Sequence, residues 1–508
     1  MSKATRMKKT IVIVGAGLGG LTAGNLLVDR GHKVTIFESH TAPGGYTAGF
    51  RRRGFYFESG TLSFESLGVF KKAMDDLGLT ARLPLVRMRM RSLSPYFDIL
   101  FESMAAFKDA LAAAFPADRA GLDSYFREMD PLIDALRPLE PRAMPAQFTG
   151  FGKLAALIPY ITAGPRLMRR LKPYKGMTVD EFAARHFTPG TPIFRLFTGL
   201  GYPRMEVATQ AGMFVVVTED YWHLKDGMQH WADLLADRFR AKGGDLRLRA
   251  PVEKIVTRDR AAAGVLSGGE RFDADVVISA CDYKKTFLKL LDEPALVPAA
   301  QLDKIREAPV SEGIFTVYLG LAMRNADLQA LLKSHSVSYN PLDHDIDPYD
   351  PADAAHFEKT TFGLYSPSLV NPALAPEGKS SLMIQAVCPV RWQDDWHRND
   401  RVSYLALKTK VRETLIARAE ALFPGLRDAI EFEDAATPLT YERYTGNTAG
   451  ATSGWSWNPE RPFYEGGQFK GTVTTPVRNL LIGSCWAGQI GGIPNALAAA
   501  YRCATKIG

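Results

Sequence analysis

The chain contains few cysteines, and none has the spacing of a metal-binding or redox pair. Only four occur in 508 residues, and no two of them form a Cys-x-x-Cys motif. A disulfide framework or a structural zinc site is therefore not expected, and a reducing compartment is. The apolar run near the start, Ile11 to Val14, is too short for the core of a secretory signal. We predict a cytoplasmic protein.

One long stretch lacks charge altogether. From Asn479 to Tyr501 there is no Asp, Glu, Lys or Arg, and this length would suffice for a membrane-spanning helix. The stretch is interrupted by four glycines and a proline, namely Gly483, Gly488, Gly491, Gly492 and Pro494. These interruptions favour a buried strand, loop and helix over a membrane span.

A second stretch lacks acidic residues. Between Pro141 and Val179 the only charged residues are basic: Arg142, Lys153, Arg166, Arg169, Arg170, Lys172 and Lys175. One interpretation is a solvated helical face, and the other is a surface that meets anionic headgroups beside the apolar run Leu154 to Ile161. No nucleic-acid recognition motif accompanies the charge, so nucleic acid is not predicted as a partner. We mark 141–179 as a candidate membrane-contact segment.

No pattern in the sequence predicts a metal site. His223 and His230 lack the HExxH spacing, and the acidic loop that starts at Asp343 has Pro348 and Ala354 where a calcium loop needs Gly and Glu. Cys485 has no cysteine partner nearby in the sequence, and we interpret it as a small buried residue.

The first forty residues predict a nucleotide-binding unit. Thr10 to Val14 is a short apolar strand, Leu18 to Asp29 has helical spacing, and Val34 to Phe37 is rich in β-formers. Strand, turn, helix and strand within about thirty residues predict a βαβ unit.

The turn inside this unit carries a G-x-G-x-x-G motif, made of Gly15, Gly17, Leu18, Gly19 and Gly20 with the intervening alanine. The first glycine permits the tight turn, the second lets the backbone approach a pyrophosphate, and the third lets the helix pack on the strand. Glu38, followed by Ser39, ends the second strand. Its carboxylate suits ribose hydroxyls and would repel a 2′-phosphate, which disfavours NADP. The pattern does not separate FAD from NAD.

Motifs beyond this unit carry a family resemblance. A second glycine pair, Gly44-Gly45, follows the acidic residue, and a G-[FY]-x-F-[DE]-x-G segment runs from Gly54 to Gly60. With Tyr221–Leu235 and the closing NLLIGSCWAGQIGGIPNALAAAYRCATKI segment, the sequence resembles the phytoene desaturase, carotenoid isomerase and retinol saturase group of FAD-dependent oxidoreductases. The resemblance spans most of the chain.

This resemblance implies FAD as the cofactor and extends its site. The added residues are Gly44, Gly45, Tyr46, Gly60, Thr61, Val252, Gly483, Ser484, Gly492, Ile493 and Pro494. Val252 would contact the adenine, Gly483 and Ser484 would face the ribityl chain, and the last three would open a helix aimed at the pyrimidine edge. A helix N-terminus there would stabilise the negative charge of reduced flavin. The catalytic residues stay unknown, because no side chain stands out as an acid or base.

We therefore predict an α/β flavoprotein of the flavin amine oxidase and phytoene desaturase type. A discontinuous Rossmann-like FAD-binding domain would comprise residues 1–105, 215–290 and 430–508. A mixed α+β substrate-binding domain would comprise residues 106–214 and 291–429.

The predicted function is oxidoreduction or isomerisation of carbon–carbon double bonds in an apolar isoprenoid or polyene lipid, carotenoid- or retinoid-like, by hydride transfer at flavin N5. Desaturation, saturation and cis–trans isomerisation all fit one site, and the external electron acceptor or donor is not identified. The segments 366–382 and 436–455 resemble the isomerase and saturase branch. Two alternatives stay open, namely a flavin-dependent amine oxidase and a redox-silent flavoprotein that binds lipid or a partner.

Overall fold

The computed structural model describes residues 7–139, 142–202, 204–344, 347, 349–466 and 470–508. Two large sheets and a helical region organise these residues. The first sheet has five parallel strands, in the order Leu480–Ile482, Val276–Ser279, Thr10–Val14, Lys33–Phe37 and Asp245–Arg247. The first four of these strands are mainly apolar and largely buried, as expected where other elements cover both faces of a parallel sheet, whereas the edge strand Asp245–Arg247 is mostly exposed.

Helices and a smaller antiparallel sheet cover the parallel strands. The helices Leu18–Asp29, Met228–Ala241 and Gly492–Ile507 pack on the strands and on one another, and Leu67–Leu77 packs behind them. A three-stranded antiparallel sheet contacts the strand Val276–Ser279; its strands are Val252–Arg258, Ala261–Ser267 and Glu270–Asp273. The predicted βαβ unit, Thr10–Val14, Leu18–Asp29 and Lys33–Phe37, is thereby confirmed.

The second large sheet has seven strands. Their order is Ile430–Ala436, Gly313–Leu321, Ser380–Cys388, Phe362–Tyr365, Ser336–Tyr339, Met90–Leu93 and Asp98–Leu100. Neighbouring strands are antiparallel, except that Ser336–Tyr339 and Met90–Leu93 run parallel. The long helix Arg401–Leu422 buries Val411, Leu415 and Ile416 in a core with residues of this sheet. Shorter helices around it are Asn325–Leu332, His356–Lys359, Pro367–Val370, Trp392–His397 and Pro438–Thr445.

Residues 104–219 form the helical region. Its helices are Met104–Ala114, Arg119–Leu136, Gly150–Leu171, Val179–Ala183, Pro192–Thr198 and Val207–Glu219. They share an aromatic core in which the Tyr125 and Phe197 rings lie 4.1 Å apart. The candidate membrane-contact segment falls here, although its first residue, Pro141, lies outside the described residues.

Strand pairing shows which sheet parts of the two predicted domains join. Within the predicted first segment, 1–105, the strands Met90–Leu93 and Asp98–Leu100 pair with the seven-stranded sheet. Ile430–Ala436, at the start of the predicted third segment, does so as well. Strand pairing assigns elements to sheets but does not delimit domains, so the two-domain division stays a prediction.

The uncharged stretch 479–501 folds as predicted, into the strand Leu480–Ile482, a loop and the first turns of the helix Gly492–Ile507. In the described part of the chain, no helix combines the length and apolar character that a membrane span requires. Asp345 and Pro348 of the acidic loop lie outside the described residues, so the structure does not describe this loop as a whole.

Candidate functional site

A cavity of about 1070 Å³ opens at the carboxyl ends of the parallel strands. This edge is where open α/β sheets bind ligands. All of the predicted cofactor residues line the cavity except Gly20, Gly483 and Pro494. The residues that the sequence predicted from five separate segments are therefore brought together in space.

The glycine turn forms the floor of the cavity, and its glycines differ in what they face. Gly15 has a φ of +103°, which favours glycine, and its N–H donates to Phe37 O at 2.7 Å. A Cβ built at Gly20 would lie 2.1 Å from Gly15 O, so this glycine serves the close packing of helix on turn. No atom lies within 4 Å of a Cβ built at Gly17, which therefore borders open cavity.

The three predicted residues that do not line the cavity are buried, and each adjoins in sequence a residue that does line it. Gly20 packs on the turn, and a Cβ built at Gly483 would lie 2.5 Å from Ile278 Cγ2. Pro494 is buried in the first turn of the last helix. Their surroundings explain why these residue types are small or conformationally restricted there.

Glu38 is anchored to the glycine turn. Its Oε2 accepts from Ala16 N at 2.7 Å, and its Oε1 accepts from His40 N at 2.8 Å. The side chain is buried but still lines the cavity, together with Ser39, Pro251 and Val252. The carboxylate thus lies at the end where the adenosine was predicted.

The second glycine pair lies directly against the first turn. Gly44, with a φ of +125°, donates from its N–H to Ala16 O at 2.9 Å. Tyr46 follows, and its hydroxyl donates to Gly450 O at 2.7 Å. The strands Gly49–Arg52 and Phe55–Glu58 then form a β-hairpin. Beyond it, Thr61 N donates to Tyr46 O at 3.0 Å, which places the end of this hairpin beside Tyr46.

The closing segment forms the rest of the side of the cavity that carries the glycine turns. Gly483 N donates to Ser279 O at 2.7 Å, and Ser484 Oγ donates to Cys281 O at 2.9 Å. The helix Gly492–Ile507 then begins at the cavity, with Gly492 and Ile493 in the lining. The N–H groups of its first turn are free of intrahelical partners, so this end suits negative charge.

The opposite side of the cavity consists of residues that sequence reasoning did not assign to the site. The main ones are Lys285, Tyr318, Tyr404, Leu439, Tyr441 and Thr452. Tyr441 stacks on Tyr46, with ring centroids 5.4 Å apart and planes inclined by 6°. Tyr441 and Thr452 lie in the segment 436–455 that carries the family resemblance, which was the only signal that could have pointed to them.

Buried phenols and thiols in the cavity wall stay uncharged. Burial raises the pKa of Tyr441 to about 12 and the pKa of Cys485 to about 11. Burial likewise raises the pKa values of Tyr46 and Tyr318 well above that of free tyrosine. All four cysteines are free thiols, but Cys485 is only half-buried and lines the cavity, so the interpretation as a small buried residue is wrong in its burial.

Charged residues at the rim are mostly basic. They are Arg52, Lys285, Arg398, Arg401, Lys408 and Arg443, against Glu38 and Asp434. Arg398 pairs with Asp395 and Glu442, and Lys408 pairs with Asp434. A Cβ built at Gly446 would lie 3.3 Å from Lys285 Nζ, so this ammonium group reaches the rim. The excess of positive charge suits a ligand with phosphate groups.

His223 is fully buried and does not line the cavity. Its Nδ1 lies 2.7 Å from Leu62 O, and its ring stacks on Tyr365 at 4.7 Å. Burial, followed by the neighbouring His335, lowers the pKa of His223 to about 3, so the imidazole is neutral. Among the described residues, no cluster of three or more His, Cys, Asp or Glu side chains could hold a metal ion.

The sequence matches the family model of flavin containing amine oxidoreductases over residues 18–508. The chain belongs to this family. The match confirms FAD as the cofactor and a FAD-dependent oxidoreductase or isomerase as the class of enzyme, and the cavity described above has the glycine turn and basic rim that such a dinucleotide needs.

Curated relatives narrow the resemblance. The chain is 25% identical to prolycopene isomerase 1, chloroplastic, of an Oncidium hybrid cultivar, over 86% of this chain and 74% of the relative. It is 25% identical to a 4,4′-diapophytoene desaturase of Methylomonas, over 90% and 89%. It is 23% identical to the all-trans-retinol 13,14-reductase of Danio rerio, over 98% and 85%. The predicted resemblance to the desaturase, isomerase and saturase group is confirmed.

Solved structures share the fold. An oxidoreductase from Methanosarcina mazei matches with a TM-score of 0.62 and 16% identity, covering 98% of this chain and all of its own length. Putrescine oxidase bound to putrescine matches with a TM-score of 0.64 and 16% identity, covering 99% of both chains. The predicted α/β fold of the flavin amine oxidase type is confirmed.

Proposed function

We propose that this protein acts on carbon–carbon double bonds of an apolar isoprenoid or polyene lipid. FAD, when bound, supplies a two-electron hydride acceptor or donor at N5. The observation that carries the proposal is a group of phenols, aliphatic side chains and one aliphatic hydroxyl opposite the glycine turn, namely Tyr318, Tyr404, Leu439, Tyr441 and Thr452. These uncharged side chains can pack on a hydrocarbon chain, while the basic residues of the rim suit the phosphate groups of the cofactor.

The cofactor residues are part of this proposal. Gly15, Gly17, Leu18 and Gly19 would approach the pyrophosphate, and Glu38 would meet the ribose. Ser484 and the start of the helix Gly492–Ile507 lie together farther along the same cavity, where the ribityl chain and the pyrimidine ring would reach. The chain's own contribution is to hold the cofactor, orient its ring and keep water out.

An amine oxidase is the second candidate, because the family and several structural neighbours carry that description. An aromatic cage for an amine needs open space between two rings. Tyr46 and Tyr441 are parallel, but a centroid distance of 5.4 Å is the spacing of rings in contact. These two rings therefore leave no gap for an amine, which favours the polyene.

We also propose that the helix Gly150–Leu171 contacts a membrane surface. Its exposed apolar side chains recur at helical spacing along one face: Phe151, Leu154, Ile158, Ile161 and Met168. Phe151 is 89% exposed and Ile161 is 65% exposed, while Lys153, Arg166 and Arg169 add basic charge. An apolar stripe flanked by Lys and Arg is typical of helices that lie at an anionic lipid surface.

The function is tested with FAD-loaded protein and a panel of probes. Prolycopene, phytoene and all-trans-retinol are each incubated with oxidised or dithionite-reduced protein, and products are separated by chromatography. Conversion of one of these polyenes is expected. Bleaching by putrescine or cyclohexylamine without polyene conversion would favour the amine oxidase, and retention of FAD without any turnover would favour the redox-silent flavoprotein.

Membrane contact is tested by co-sedimentation with vesicles of phosphatidylcholine, with or without phosphatidylglycerol. A triple variant, Phe151→Ser, Ile158→Ser and Ile161→Ser, should lose binding to the anionic vesicles. Val402→Ser serves as the matched control, because Val402 is 79% exposed but lies on another helix. Equal binding by all three proteins would argue against the proposed contact.

A further inference from the structure

The buried carboxyl group of Glu312 is hydrogen-bonded to a residue that lines the cavity. Thr452 lines the cavity and is half-buried, and its Oγ1 donates to Glu312 Oε1 at 2.7 Å. Glu312 itself is only 2% exposed. Among the described residues it takes part in no salt bridge, so its proton is not displaced by a neighbouring cation.

Backbone contacts hold this pair in place. The chain segments around the two residues run antiparallel, and Thr452 N donates to Glu312 O at 3.1 Å. The next residue, Ser453, packs tightly on Gly491, since a Cβ built at Gly491 would overlap the carbonyl oxygen of Ser453. Thr452 is thereby fixed beside the start of the helix Gly492–Ile507, the end of the cavity where the flavin ring would lie.

The surroundings of Glu312 suit a group that gives up a proton and takes it back. Burial raises the pKa of the Glu312 carboxyl, which favours its protonated form. Tyr349 Oη donates to Glu312 Oε2 at 3.4 Å, whereas the buried Trp457 Nε1 makes no hydrogen bond within the described part of the chain. The Tyr349 hydroxyl, with the Thr452 hydroxyl, would stabilise the carboxylate that forms. The titratable groups that face Glu312 are those of Tyr46, Tyr202, Tyr349 and Cys388.

We propose that Glu312 exchanges the substrate proton through the hydroxyl of Thr452. The inference rests on the proposed function, because reactions at a carbon–carbon double bond that move a hydride also move a proton. Thr452 would be the residue that touches the substrate, and Glu312 would act through it.

In the direction of saturation the step balances as follows. The π bond would break, bound reduced FAD would supply the hydride for one C–H bond, and the Thr452 hydroxyl proton would form the other. For this the Thr452 hydroxyl, which donates to Glu312 in the structure, would turn to the substrate. Protonated Glu312 would then reprotonate Thr452 and become a carboxylate, which regains its proton from solvent. The two electrons come from an external two-electron donor, for which dithionite serves in the assay. Desaturation is the reverse of this step, and the proton then moves to Glu312.

The first test needs no turnover. Infrared difference spectra of FAD-loaded wild type and Glu312→Gln at neutral pH should assign a protonated carboxylic acid band to Glu312. Thr452→Val should shift this band by removing a hydrogen bond, while Thr452→Ser should leave it in place. Carboxylate bands in place of the acid band, or a band insensitive to Thr452→Val, would overturn the proposal.

The second test uses whichever polyene of the panel wild-type protein converts. Thr452→Val and Glu312→Gln should each lower kcat by about 10²-fold or more with KM little changed. Thr452→Ser should restore most of kcat. Full activity of Thr452→Val, or a loss in Thr452→Ser as large as that in Thr452→Val, would overturn the proposal.

Asp220→Asn is the matched control, because Asp220 is also buried with a raised pKa but accepts from Leu67 N and Trp222 Nε1 outside the cavity. It should change kcat by less than a few-fold, and an equal loss would overturn the assignment to Glu312. If the wild type converts no polyene, the proposed function fails by itself, while the infrared difference spectra still decide whether Glu312 is protonated and hydrogen-bonded to Thr452.

Discussion

The two sides of the cavity are built in different ways. The near side, residues 15–61 with 484–493, includes eight glycines, which leave backbone open to a ligand, and the start of a helix. The far side, drawn from Lys285 and residues 318–452, includes one glycine and otherwise residues with side chains, from elements distant in the sequence. Backbone groups recognise what every dinucleotide has in common, whereas side chains can vary with the substrate. We infer that the near side retains the cofactor and the far side sets the reaction.

The largest effect is expected at Gly17 on the near side. Gly17→Val should nearly abolish FAD retention, because the side chain would fill the space next to the turn that the pyrophosphate needs. Gly17 has φ −71° and ψ 176°, values open to other residues, so the fold should persist. The ratio of flavin to protein absorbance measures retention, and circular dichroism checks the fold. A yellow, flavin-loaded variant would show that the cofactor lies elsewhere.

Gly20 sharpens the contrast within the same motif. Gly20→Ala would place a methyl group 2.1 Å from Gly15 O, so it should destabilise the fold by about 1–3 kcal/mol. Chemical denaturation of the flavin-free protein would measure this loss. A variant as stable as wild type that nevertheless lost FAD would contradict the assignment of Gly20 to packing and of Gly17 to the ligand.

The buried Glu58 should make the stability of the folded protein depend on pH. Burial raises its pKa to about 8, although Tyr56 Oη and Met228 N donate to it. Between the unfolded pKa of about 4.5 and the folded value, the native state binds the proton and the unfolded state does not. Stability should therefore fall as pH rises through this window, by up to about 1.4 kcal/mol per unit. Thermal unfolding at pH 5 to 9 should show a flatter profile for Glu58→Gln, and parallel profiles would contradict the assignment.

The smallest effect is expected at Lys285 on the far side. Lys285→Ala should weaken FAD binding about tenfold, if the ammonium group meets a phosphate at the rim. Titration of flavin-free protein with FAD measures the change. Lys289→Ala provides a control, since Lys289 lies outside the cavity lining. An unchanged Kd would confine cofactor binding to the near side.

Much of the near side could be predicted from the sequence because its signals are local. The glycine turn, Glu38 and the second glycine pair lie within 31 positions, and each owes its role to its own backbone or to adjacent residues. The closing segment was recognisable because its glycines and lack of charge recur in a known family. Gly20, Gly483 and Pro494 were predicted among the cofactor residues and do not line the cavity, and Gly20 packs the helix on the turn, the role that its place in the motif predicts.

By itself the sequence determined the βαβ unit, the cofactor class and the family, since these follow from short-range patterns that chain geometry makes obligatory. Only the tertiary structure decided the far side of the cavity. Tyr441 reaches Tyr46 and Thr452 reaches Glu312 because strands of the seven-stranded sheet and a loop bring together residues more than a hundred positions apart. No local pattern marks such contacts, because the burial and hydrogen bonding that give each side chain its role come from elements elsewhere in the chain.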